Sequence, residues 1–168
     1  RLALSQATDR KTLNEKVLNS ANIVSTTWMP PARSGTNPTA YDAAIGFDPV
    51  KAKANLKKAG YDNGAGFPKI TVLQTDSAGN KAIGEFLQSE WKKHLNIDIT
   101  LEYTDSKTRS ARFNSGDFQI VLGGWGEDYP DPENWILGLY ETGGSINKQS
   151  CSMKAIDDVI AKAKFNQK

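Results

Sequence analysis

The alternation of apolar and polar positions is sharpest in the middle of the chain. Ile97, Ile99, Leu101 and Tyr103 alternate with Asp98, Thr100 and Glu102, the period-two signature of a half-buried strand. Just before it, Ile83, Phe86, Leu87 and Trp91 share one face of a helix predicted over residues 80–95. Two more apolar runs read as strands, 70–74 and 118–122, the second carrying the unbroken Ile120-Val121-Leu122 expected of a buried strand. A short helix over 106–114, followed by Gly116, precedes that last strand. The order strand, helix, strand, helix, strand predicts an α/β layer arrangement with at least some parallel pairing.

The flanks are mostly helical. Residues 1–19 read as two short helices broken near Thr8-Asp9, with Asp9 capping the second and Leu13 and Val17 facing inward. Asp48-Pro49 opens a helix that Gly60 closes, with Ala52 and Leu56 inward. Between them, residues 20–47 hold Pro30-Pro31, Gly35 and Asn37-Pro38 and predict a long, mostly extended loop, a length often tied to function. Gly64-Ala65-Gly66 reads as a turn, because no Gly-Lys-Ser/Thr follows it. Near the end, Ile156, Val159, Ile160 and Ala163 form an amphipathic stripe that runs on to Lys168 without a stop signal. Helical patterning at both ends leads us to expect one domain, residues 1–168, excised from a longer protein.

Composition narrows the function. Apolar residues at 38% and charged residues at 24% suit a folded domain, and a net charge of +2 is too small to suggest nucleic acid as a partner. No apolar run approaches the roughly 20 residues of a membrane-spanning helix. Cys151 is the single cysteine, so no internal disulfide forms, and in its polar loop it reads as an incidental thiol. His94, the single histidine, lies at the edge of an apolar stripe and reads as structural.

Candidate chemistry concentrates in the run Gly123-Gly124-Trp125-Gly126-Glu127-Asp128-Tyr129-Pro130-Asp131-Pro132. It follows a predicted strand, where ligands of open α/β sheets sit, and its glycines allow a backbone to approach a ligand closely. Glu127, Asp128 and Tyr129, with Trp125, suit a group that is cationic and partly apolar. Asp131 and Pro132 read as the cap and first residue of a new helix, with Trp135 and Leu139 on its inner face. Trp125 is expected to be exposed or to face a cleft. With Asp131 capping and Glu133 at the helix start, too few carboxylates remain for a dedicated metal site, so neither metal nor cofactor is expected. From the residues alone, a binding module and a hydrolase or metal-dependent enzyme using Glu127, Asp128 and Asp131 both stay open.

Three segments resemble the solute-binding proteins of the oligopeptide/dipeptide ABC-transporter family. They are Arg1 to Lys11 (RLALSQATDRK), Phe47 to Tyr61 (FDPVKAKANLKKAGY) and Gly124 to Pro132 (GWGEDYPDP). The resemblance implies one lobe, the C-terminal one, of a two-lobed periplasmic-binding-protein-like (type II) α/β fold with a mixed sheet flanked by helices. It implies a monomer outside the cytoplasm, in a periplasm or as a surface lipoprotein, that delivers peptides to a membrane permease. By the same resemblance Asp128 pairs with the α-ammonium of a peptide and Trp125 lines the cavity, with Gly124, Gly126, Glu127 and Tyr129 beside them. Leu122 is apolar where some peptide binders carry a polar or basic residue. Some relatives bind oligosaccharides, and others nickel chelates, generally without an acid at the Asp128 position.

Overall fold

The computed structural model describes residues 1–31 and 35–164. The elements are α1 (Leu2–Gln6), α2 (Arg10–Lys16), α3 (Asp42–Ile45), α4 (Pro49–Lys58), β1 (Ile70–Thr75), α5 (Ala78–Leu95), β2 (Ile99–Thr104), α6 (Ser106–Ser115), β3 (Ile120–Val121), α7 (Leu137–Tyr140) and α8 (Lys154–Lys164). The strands form one sheet in the order β2-β1-β3. Both pairings are parallel, Val72 lying opposite Leu101 on one side and Ile120 on the other, so the sheet expected to be mixed is parallel among the described residues. The first crossover runs from β1 to β2, and the second runs back in the opposite direction from β2, past β1, to β3. Right-handed connections therefore place α5 and α6 on opposite faces.

Local signals explain the helix boundaries. Asp9, Asp48 and Asp105 each accept a backbone N–H of the first turn of α2, α4 and α6. Thr108 donates both its hydroxyl and its N–H to the Asp105 carboxylate, which holds that carboxyl below its ordinary pKa. A carboxyl with a lowered folded-state pKa adds stability above its unfolded value of about 3.9 and loses it as pH falls through the folded value. Between about pH 7 and about pH 3, wild type is therefore expected to lose more stability than Asp105→Asn in urea denaturation. Equal losses would show that the charged cap contributes nothing.

The core lies between the sheet and the packed helices α1, α4 and α5. Val72, Leu56, Leu87, Trp91, Leu95, Ile97 and Ile99 fill it, with Ala7 and Ala52 fully buried between α1 and α4. Gln6, buried in α1, donates to the Ala44 carbonyl and accepts from Asn55, so its amide is matched. Gln74 on the central strand is also buried, and neither of its amide atoms has a partner among the described residues. It lies against Gly84, where a Cβ would fall 2.2 Å from Gln74 Nε2. That close approach accounts for a glycine in the interior of α5, at a helix cost of about 1 kcal/mol relative to alanine.

Some expectations shift. The run 118–122 is a two-residue strand, half-buried rather than buried, because β3 sits at an edge and pairs on one side only. The loop 20–47 contains α3 and is tied together by Thr26, whose N–H and hydroxyl both reach the Pro38 carbonyl. The stripe of α8 buries Ile160, while Val159 is exposed. Its extension over 165–168 lies outside the described residues. His94 is half-buried, edge-on to Phe47 and 3.4 Å from a Glu90 oxygen, a structural setting as read from sequence.

Candidate functional site

The site loop leaves the carboxyl end of β3. The Leu122 N–H bonds the Leu73 carbonyl at 3.0 Å, carrying the pairing one residue past β3. The Leu122 carbonyl accepts from Arg109 Nη2 at 2.7 Å, which ties the end of the strand to α6. Gly123 leaves room for that nitrogen: a Cβ there would lie 2.4 Å from it, so the end of the Arg109 side chain would have to shift. At Gly124 and Gly126 a Cβ would meet nothing within 4 Å, and neither residue has a positive φ. Nothing among the described residues demands a glycine at those two positions.

Asn134 organises the rest of the loop. Its buried carbonyl oxygen accepts from Trp125 Nε1 at 3.0 Å and from the Asp128 N–H at 3.1 Å. Trp135, also buried, donates its Nε1 to Glu127 Oε2 at 3.0 Å and packs edge-on against Trp28. Asp131 caps a turn of 3₁₀ helix, Pro132–Trp135, by accepting from the Glu133 N–H. The single helix expected from here, with Trp135 and Leu139 on one face, is replaced by this turn and the short α7. The two are separated at Ile136, and α7 stops just before Gly143-Gly144, poor helix residues.

The predicted residues thus divide. Trp125 is half-buried and lines a groove of about 800 Å³ together with Gly124, Trp28, Phe113 and Phe118. Glu127 is turned toward Trp135. Asp128 and Tyr129 are exposed, and no side chain among the described residues pairs with the Asp128 carboxylate. Asp128 lines neither this groove nor the second hollow, of about 450 Å³, at the ends of β1 and β3. Three residues escaped the sequence reading: Asn134, Trp28 and Arg109. An asparagine inside a predicted helix and a tryptophan inside a long loop were the available signals for the first two. Among the described residues no three His, Cys, Asp or Glu side chains gather as a metal site would require.

The parallel three-stranded sheet, wrapped by helices, thus carries an aromatic and acidic loop at its carboxyl edge, where ligands of open α/β sheets sit. Residues 1–147 match the model of the bacterial extracellular solute-binding proteins, family 5, and the chain belongs to that family. It is 31% identical to the periplasmic murein peptide-binding protein MppA of Escherichia coli, over 97% of this chain and 30% of that protein. It is 30% identical to di/tripeptide-binding protein 3 of Pseudomonas aeruginosa, over 98% of this chain and 31% of that protein. Among solved structures, a periplasmic oligopeptide-binding protein from Borrelia burgdorferi superposes with a TM-score of 0.87 at 33% identity, covering 99% of this chain and 33% of that one. The chain therefore spans about 30% of the length of the curated relatives it matches.

Proposed function

We propose that this chain is the C-terminal lobe of a solute-binding protein that holds peptides in a cleft between two lobes and hands them to an ABC permease. The protein works outside the cytoplasm, as a monomer and without a cofactor. The carrying observation is the loop itself. Asn134 fixes the Trp125 ring and the Asp128 backbone, and it leaves the Asp128 carboxylate exposed with no side chain pairing it among the described residues. A carboxylate held this way suits the α-ammonium that every free peptide carries. Gly124 and Gly126, open on the Cβ side, leave room for a ligand backbone. The three named relatives carry peptide names, not those of an oligosaccharide or nickel-chelate binder.

The hydrolase reading loses its support in the same geometry. Glu127 is engaged by Trp135 and Asp131 by a helix cap, so the acidic cluster is split among separate tasks rather than paired for acid and base. A peptide mixture incubated with the full-length protein is expected to return unshortened by mass spectrometry.

The decisive test is Asp128→Asn in the full-length protein. A charge-assisted hydrogen bond of this kind contributes about 1.5–3 kcal/mol, so affinity for a free-amine peptide is expected to fall about 10- to 100-fold in calorimetry. The N-acetylated peptide should bind wild type and variant alike. If wild type binds both peptides equally, the amine-anchor role is wrong.

A further inference from the structure

The run from Trp125 to Asp128 hangs from two adjacent side chains of the 3₁₀ turn. Asn134 accepts from Trp125 Nε1 and from the Asp128 N–H, and Trp135 donates to Glu127. Both residues are buried, yet Trp135 stands outside the hydrophobic cluster that joins α1, α4, α5 and the sheet. Its seat is therefore not the main core. The ring that meets it edge-on is Trp28, with centroids 6.0 Å apart and planes at 68°.

The backbone that presents Trp28 is tied down on both sides. Ser25 Oγ and Thr27 Oγ1 lie 2.7 Å apart, and Thr27 Oγ1 donates to the Met29 carbonyl at 3.1 Å. Thr26 Oγ1 donates to the Asp42 carboxylate at 2.8 Å, which fastens the segment to the start of α3. The Trp28 ring is 42% exposed, so its removal opens no cavity in the core. The effect of losing it falls on the turn it touches. Trp28 also lines the groove of about 800 Å³, whereas Asp128 does not, so the ring and the carboxylate belong to different surfaces.

We infer that Trp28 is a positioning residue for recognition of the ligand's ammonium group. The tied segment 25–29 props Trp135, the turn thereby keeps Asn134 in place, and Asn134 fixes the backbone that carries the Asp128 carboxylate. Trp28 acts on the amine through Trp135 and Asn134, without touching it. This rests on the peptide reading above and on the amine-anchor role of Asp128. An edge-on aromatic pair shifts an equilibrium about 2- to 12-fold, which bounds what loss of the ring can do.

The test uses the full-length protein, with tri- to pentaalanine and their N-acetylated forms as probes. Without any peptide, Trp28→Ala should speed amide hydrogen exchange across 125–135 about 2- to 12-fold, read by mass spectrometry, and leave α5 unchanged. In calorimetry the preference of wild type for the free amine over the N-acetylated form should fall by about the same 2- to 12-fold. Trp28→Phe can keep an edge-on ring and should stay near wild type in both measurements. Trp28→Leu keeps apolar bulk in the groove without an aromatic edge. It should behave as Trp28→Ala does, and it replaces that variant if circular dichroism shows Trp28→Ala unfolded. Unchanged exchange across 125–135 would overturn the inference without reference to a ligand and leave the peptide reading intact. Equal loss of affinity for both peptide forms would also overturn it, because Trp28 would then be only a wall of the groove. If wild type binds both forms equally, the amine anchor falls and this inference with it. Failure of wild type to bind any alanine peptide would remove the peptide reading as well.

Discussion

Titrated with one peptide, the 168-residue chain alone is expected to bind at roughly millimolar Kd or weaker, while the full-length protein binds far more tightly. The reason lies in solvent. Asp128 is exposed on this lobe, and an ion pair open to water contributes only about 0–1 kcal/mol. The groove beside Trp125 is likewise open, so aromatic contacts have a wall on one side only. Closing a second lobe over the loop would exclude water and strengthen both terms. The chain has a continuous core from α1 through β2 and enough length to bury it, so independent folding is expected and the comparison is fair. Calorimetry of both forms with the same ligand decides it. Micromolar binding by the 168 residues would show that this lobe holds a complete site, and the two-lobe cleft would have to be abandoned.

What the sequence reveals here is what is encoded locally. Asp9, Asp48 and Gly116 mark helix ends through their own neighbours, and the structure places the ends of α2, α4 and α6 there. The period of 80–95 identifies the buried face of α5, although Ser77 caps it and the helix begins at Ala78. The burial expected of β3 fails because being at a sheet edge is a property of the topology, not of Ile120-Val121-Leu122. The composition of the loop marks it as a candidate site, but its internal wiring has no such mark. Asn134 acts on Trp125 and Asp128 through bonds spanning 9 and 6 residues, and Arg109 reaches Leu122 from a different element. Contacts of that kind leave no periodic trace. The same limit hides Gln6 and Gly84, a buried polar residue and a helix glycine that make sense only beside their partners.

Trp91→Ala is expected to be among the most damaging single substitutions for folding. Trp91 is 5% exposed, sits on the inner face of α5 and belongs to the central cluster. Its Nε1 donates to the Leu4 carbonyl at 3.1 Å and to Thr8 Oγ1 at 2.9 Å, so the ring fastens α5 to the end of α1. Truncating a buried tryptophan to alanine costs about 3–5 kcal/mol, because the transfer free energy is lost and a cavity remains. That is a large part of the roughly 5–15 kcal/mol by which a domain is stable. Trp91→Phe separates packing from hydrogen bonding. It keeps most of the ring and removes the donor, while the Thr8 hydroxyl can still donate to the Leu4 carbonyl. The loss in that variant should be about 1–2 kcal/mol. Urea denaturation of the three proteins measures both steps, and a cost below about 1 kcal/mol for Trp91→Ala would mean that α1 does not dock on α5 through this ring.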